Sequence, residues 1–187
     1  MSLYPQGYKP QEKTSDYMKL EEGDNRFRIL GVPIIGYEFW WEEDGRKVKR
    51  VKTFQEAVAD VNGGDAKEFN AFPVWNYDKQ AVQLLNLTQV TIKDAIYVLD
   101  TDKDWGDATK YDIVIKRAGK GLDTEYNIVP KPHKPMDNTI VEAFKAVKIV
   151  SEEYFQNGHP IVRDDGNGAS DDVQAQFEKD IDESLSN

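Results

Sequence analysis

Cysteine is absent from all 187 residues, which excludes disulfides, thiolate metal sites and a cysteine nucleophile. Histidine is nearly absent too: His133 stands among Pro130, Pro132 and Pro135, and His159 beside Gly158 and Pro160. Neither lies near the serine-and-acid pattern that nucleophilic catalysis requires. There is no apolar run with the length of a membrane span or the form of a secretory leader, so a cytoplasmic location is expected. On that reading the sequon Asn86-Leu87-Thr88 is chance. Positive charge is also short, with 24 Lys and Arg against 34 Asp and Glu and a net charge of −10.

The shortage is local. Residues 164–187 hold eight acids (Asp164, Asp165, Asp171, Asp172, Glu178, Asp180, Asp182, Glu183) and one base, Lys179, so they carry −7 of the −10. The rest is close to neutral, with 23 bases and 26 acids, and its bases cluster among aromatic residues. A near-neutral body with basic, aromatic strands and an acidic tail points to a protein that binds a polyanion and carries its own polyanion mimic. The ligand meets a local field, so the overall pI of about 4.7 does not argue against nucleic acid.

Residues 1–19 are polar, punctuated by Pro5, Gly7 and Pro10, and read as a mobile arm carrying Lys9 and Lys13. A core over 20–135 follows, then a helical extension over 136–163 and the acidic tail over 164–187. A domain of about 150 residues buries roughly 68–70% of its unfolded surface, enough for a core without a metal or disulfide.

Within the core, 26–32 alternates basic or small residues with apolar ones, and 36–41 places Tyr37, Phe39 and Trp41 on one face. Asp44-Gly45 is a turn before the basic strand 46–52. Asn62-Gly63-Gly64 interrupts 54–69, where an insertion of short helix and loop is expected. Residues 72–77 and 81–87 read as a hairpin about Asp78-Lys79. A helix follows, with Thr88 able to cap it and Val90, Ile92, Ala95, Ile96 and Leu99 at helical spacing. Strands over 111–118 and 122–129, joined by Gly119-Lys120-Gly121, complete the core. The predicted class is mainly β with helical additions. Three strand segments, a helix and two strands is the order of an OB-fold, a five-stranded Greek-key barrel suited to oligonucleotides.

Three segments carry a resemblance: Leu20-Glu21-Glu22-Gly23-Asp24-Asn25-Arg26-Phe27-Arg28-Ile29-Leu30; Trp105-Gly106-Asp107 with Tyr111-Asp112-Ile113; and Lys116-Arg117-Ala118-Gly119-Lys120-Gly121-Leu122-Asp123-Thr124-Glu125-Tyr126. Together they resemble the replicative single-stranded DNA-binding proteins of tailed bacteriophages over 20–135, and the acidic tail matches in character. The resemblance implies an OB-fold core, sequence-tolerant binding of single strands in replication, recombination or repair, and a tail that contacts replication partners in the host cytoplasm. Some relatives hold zinc through Cys and His; with no Cys, that site is not implied here.

A sequence-tolerant binder needs cations along the phosphate track and flat side chains for unstacked bases. The cation candidates are Arg26, Arg28, Lys47, Lys49, Arg50, Lys52, Lys116, Arg117 and Lys120. The aromatic candidates are Tyr37, Phe39, Trp41, Trp75, Tyr77, Tyr111 and Tyr126, about half of which a small barrel needs for its core. Trp105, beside Gly106, is read equally as packing anchor or base stacker. In the tail, Val173, Phe177, Ile181 and Leu185 recur every fourth residue, a spacing for an amphipathic helix that docks on a partner protein.

Enzyme signatures fail. Asp100, Asp102 and Asp104 start like a calcium-binding EF-hand, but Trp105 replaces its glycine and Tyr111 its terminal glutamate. Glu42-Glu43 and Glu152-Glu153 are sequence neighbours and point to different faces of a regular element. Gly119-Lys120-Gly121 lacks the Ser or Thr of a nucleotide phosphate loop. No reaction, cofactor, metal or membrane is therefore expected. The alternative reading is a protein-interaction regulator whose tail mimics nucleic acid without DNA binding, and a third is a nucleotide-processing enzyme.

Overall fold

The computed structural model describes residues 15–42, 45–61 and 63–163; the arm before residue 15 and the tail with Val173, Phe177, Ile181 and Leu185 lie outside the described residues. Nine strands and three α-helices appear among the described residues. Seven strands form one antiparallel sheet: β1 (Gly23–Ile29), β2 (Ile34–Glu42), β3 (Arg46–Val51), β4 (Lys67–Asn76), β5 (Ala81–Leu87), β6 (Asp112–Ala118) and β7 (Glu125–Pro130). The expected mainly β class holds, but the sheet has seven strands and is open. Among the described residues β5 and β7 do not pair.

The ten-residue strand β4 organises the sheet. Along one edge it pairs with β5, from Asn70↔Leu87 to Asn76↔Ala81. Along the other it meets β2 in one half (Ile34↔Ala71, Tyr37↔Glu68) and β1 in the other (Phe27↔Asn76, Ile29↔Val74). Between β1 and β2 the chain needs four residues, 30–33, where β4 spends two, so Gly31, Val32 and Pro33 bulge outward and leave Val32 exposed. On its far side β1 pairs with β6, and β6 with β7.

Alternation along β4 sends side chains to two separate cores. Phe72 and Val74 join Phe27, Ile29, Leu85, Leu87, Ile113 and Ile115 on the inner face. Helix α1 (Val90–Thr101) covers that face with Ile92 and Ile96 and packs on both β5 and β7. Its N-cap is Gln89, with no side-chain capping bond, so Thr88 does not cap it. The outer face of β4 and β5 takes Phe69, Ala71 and Trp75 with Leu84 and Val82. The chain after 135 covers this face as α2 (Asn138–Lys145), β8 (Val147–Ile149), α3 (Ser151–Gln156) and β9 (Ile161–Arg163). Ile140 and Phe144 pack on Trp75, and Tyr154 and Ile161 on Phe69. The helical extension thus contains a small two-stranded sheet, β8 with β9. No helix among the described residues is long and apolar enough to cross a membrane.

Candidate nucleic-acid interface

The β2–β3 ribbon sorts the predicted cations and aromatics by strand alternation. Its register pairs Tyr37 with Val51, Phe39 with Lys49 and Trp41 with Lys47, and directly opposed residues share a face. One face therefore collects Tyr37, Phe39, Trp41, Lys47 and Lys49. Phe39 is buried, and its ring meets Trp41 edge-on at 6.5 Å. Tyr37, half-buried, meets the exposed Phe54 edge-on at 5.5 Å. Lys49 holds its ammonium 4.8 Å over the Trp41 ring, a cation–π contact that leaves the charge beside an aromatic plane. Lys47 is exposed.

The other face of the same ribbon belongs to the extension. Arg50 lies opposite Glu38, with Nε 3.3 Å from Oε2, and its guanidinium sits 4.4 Å over Tyr154. Lys52 is paired with Glu152 and lies 5.7 Å over Phe155. The basic run 46–52 is thus divided: Lys47 and Lys49 face the aromatic row, while Arg50 and Lys52 fasten β3 to α3. Close packing tightens this seam, since a Cβ on Gly36 would stand 2.6 Å from the Val51 carbonyl oxygen and 2.8 Å from Phe155.

A second constellation occupies the outer face of β1 and β6. Asp112, with no exposed surface, accepts from Arg26 Nε (3.0 Å) and Nη2 (2.5 Å), Arg28 Nη1 (3.2 Å) and the Tyr77 hydroxyl (2.9 Å). Lys134 Nζ adds a contact at 3.3 Å. Burial pushes the Asp112 carboxyl up, but the hydrogen bonds from Arg26, Tyr77 and Arg28 and the Lys134 charge outweigh it and hold the group below the usual carboxylate range. Burial and the bond to Asp112 raise the Tyr77 phenol. Burial disfavours the Lys134 cation, but Asp112 and Tyr77 hold its ammonium above the ordinary lysine value.

The β6–β7 connection forms a third region. Lys116 and Lys120 are exposed, whereas Arg117 turns to the inner side and donates to the Leu20 carbonyl at 2.7 Å. Tyr126 packs against the inner core. Gly119 has φ +79°, and a Cβ there would meet the Asp123 carbonyl oxygen at 2.1 Å. Only glycine fits this turn.

Four predicted contact residues are placed where no base or phosphate reaches them. Phe39 and Trp75 are buried side chains. Tyr111 is fully buried, stacked parallel on His133 at 5.1 Å with Trp105 at its edge, and donates its hydroxyl to the Gly106 carbonyl. Burial, with Asp100, Asp107 and Asp102 nearby, pushes its phenol up to about 12. Trp105 therefore packs as an anchor on Tyr111. Arg28 is closed to solvent and donates to the Thr109 and Lys134 carbonyls as well as to Asp112. Residue type alone predicts a contact role for each; Trp75 and Tyr111 instead fill apolar cores, Phe39 is covered within the ribbon beside Trp41, and Arg28 is taken up by Asp112 and two carbonyls.

Sequence reasoning missed Asp112 and Lys134 as partners of Arg26 and Tyr77. The only available signal was a lone Asp opening an apolar strand, where an unpaired carboxylate would be costly. Asp102 closes an ordinary turn, accepting from the backbone N–H of Asp104 and Trp105. No group of acids and histidines among the described residues is arranged to hold a metal ion. No protein-family model, curated protein or solved structure matches this chain.

Proposed function

We propose that this chain binds single-stranded nucleic acid, DNA first, without sequence selectivity and without catalysing a reaction. One observation carries the reading: Tyr37 and Trp41 lie on the same face of the β2–β3 ribbon as Lys47 and Lys49, with the Lys49 ammonium 4.8 Å over Trp41. Aromatic planes accept unstacked bases at about 1–3 kcal/mol each, and adjacent cations follow the phosphates. Duplex DNA hides its base faces, so such a surface favours the unpaired form.

The strand order supports an OB-type barrel. Leaving the β2–β3 ribbon aside, the neighbours run β5, β4, β1, β6, β7, with α1 between the third and fourth strands in sequence and packed on both end strands. That order agrees with the plan of a partly open five-stranded Greek-key barrel and supports the reading. Such barrels hold oligonucleotides on the second and third strands and on the loops after the first and fourth. In this chain the outer face of those two strands is covered by α2 and α3. The β2–β3 ribbon, an elongated first loop, offers the aromatic and basic side chains instead.

Coverage of transient single strands in replication, recombination or repair follows from this chemistry and agrees with the resemblance to phage proteins, as does a partner-binding role for the acidic tail. The test is a tryptophan fluorescence titration with oligo-dT at two salt concentrations, alongside duplex of equal length. Quenching, steep salt dependence and weak duplex binding are expected, and Lys47→Ala with Lys49→Ala should flatten the slope of log affinity against log salt by about 1.4. Equal affinity for duplex, or a double variant that binds as the parent does, overturns the reading.

A further inference from the structure

We propose a phosphate-binding subsite on the outer face of β1 and β6, formed by Arg26 and Lys134 about Tyr77 and positioned by the buried Asp112. As a site for nucleic acid it rests on the reading above, but its residues are separate from the ribbon.

The charge balance is the first argument. Two guanidinium groups and one ammonium converge on a single carboxylate, which leaves two positive charges over. Asp112 has no exposed surface, whereas the side chains of Arg26 and Lys134 are 45% and 38% exposed. Solvent therefore meets the cations and not the anion that aligns them. A buried carboxylate ringed by donors fixes its partners, so an incoming phosphate meets groups already ordered.

Geometry gives each residue a distinct part. Arg28 is fully committed, and its bond to the Lys134 carbonyl (2.8 Å) anchors the backbone from which the lysine projects. Arg26 reaches Asp112 through Nε and Nη2, leaving Nη1 outside that contact. The Arg26 guanidinium lies 4.6 Å, and the Lys134 ammonium 5.4 Å, from the Tyr77 ring centre. Tyr77 thus lies against both cations, and its hydroxyl points to Asp112, the carboxylate that both cations share. A guanidinium edge beside an ammonium matches the oxygens of a phosphate. Two residues beyond Val114, the partner of Arg26, the exposed Lys116 stands on the same face of β6, directly opposite the exposed Asp24, so the excess of positive charge is confined to Arg26 and Lys134.

Tyr77, just past the end of β4, lies nine residue steps along the chain from Glu68, the partner of Tyr37, a path of about 30 Å at strand rise. The ribbon row and this cluster lie on opposite faces, so the subsite takes a phosphate remote from the bases stacked on Trp41. That phosphate is an internal diester of a long strand or the terminal phosphate of its end.

The experiment is a salt series on a long oligo-dT with a 5′-hydroxyl, using the parent chain, Lys134→Gln and Lys134→Arg. Lys134→Gln should weaken binding several-fold at low salt and lower the salt slope by about 0.7, one phosphate on a single strand. Lys134→Arg should restore both. The thermal midpoint of Lys134→Gln should stay near the parent, because the backbone carbonyl that Arg28 uses remains. Repeating the series with a 5′-phosphate separates the sources: a gain that depends on Lys134 assigns the end group, and its absence alongside the slope change assigns a diester. A parent that binds oligo-dT while Lys134→Gln keeps its slope overturns the subsite and leaves the ribbon reading standing. A parent that binds no oligo-dT overturns both.

Discussion

Arg28 and Asp112 stand directly opposite each other in the β1–β6 ladder, with the guanidinium Nη1 3.2 Å from the carboxylate Oδ1 and both side chains closed to solvent. The pair holds three parts of the chain together, because Arg28 also bonds the carbonyls of Thr109 and Lys134.

Removing either member strands a buried charge. Arg28→Ala and Asp112→Ala should each destabilise the fold by about 3–5 kcal/mol. Arg26→Ala removes a partner that is half open to water and should cost about 1 kcal/mol or less. Urea unfolding of the three variants checks the order, and an Arg28→Ala chain as stable as Arg26→Ala would refute it.

Acid should reveal the same carboxylate. The folded-state pKa of Asp112 is lowered, so its stabilisation is present above the unfolded value of about 3.9 and is lost as pH falls through the folded value. The thermal midpoint of the parent should drop more steeply below about pH 4 than that of Asp112→Asn, which has no proton to gain there. Circular dichroism melts between neutral pH and strong acid measure the difference.

Gly36 sets how closely α3 approaches the ribbon. Its replacement by Ala would press a methyl group on the Val51 carbonyl and the Phe155 and Phe69 rings at 2.6, 2.8 and 3.0 Å. A loss of about 1–3 kcal/mol is expected, with faster proteolysis at the base of the ribbon. Unaltered stability would mean that α3 shifts freely.

The two glycines about Lys120 should behave differently. Gly119→Ala meets the Asp123 backbone at 2.1 Å, while a Cβ on Gly121 has nothing within 4 Å, though its φ of +59° is unfavourable for other residues. Gly119→Ala should therefore be the more destabilising by a clear margin in thermal melts. Equal effects would show that φ alone governs this turn.

Local patterns were legible wherever one strand face is apolar and the other polar. The alternation of 36–41 anticipated the shared face of Tyr37, Phe39 and Trp41, and Ala81–Leu87 was read with its observed bounds. Strand β4 begins earlier than its hydrophobic run suggests, at Lys67, because pairing with β2 extends it through polar residues. The three-residue strands β8 and β9 left no readable period, since their order comes from each other and from the sheet beneath. Which aromatic ring is core was equally hidden: Tyr111 and Tyr37 look alike until His133 and Trp105 are folded onto the former. The Asp112 cluster draws on residues as far apart as 26 and 134, and no short window contains it.

The extension returns to the segment that precedes β1. Arg163 Nη1 lies 2.7 Å from Asp16 Oδ1, and the Tyr17 hydroxyl donates to the Gly158 carbonyl. Such adjacency permits circular permutation of the body 15–163: with residues 1–14 and 164–187 replaced by a short linker from 163 to 15 and new ends opened at the exposed Gly63-Gly64 turn, every pairing in the seven-stranded sheet is kept. A tether or dye attached at either position also reports from one spot on the surface, so the aromatic face of the ribbon is presented the same way whichever attachment point is chosen.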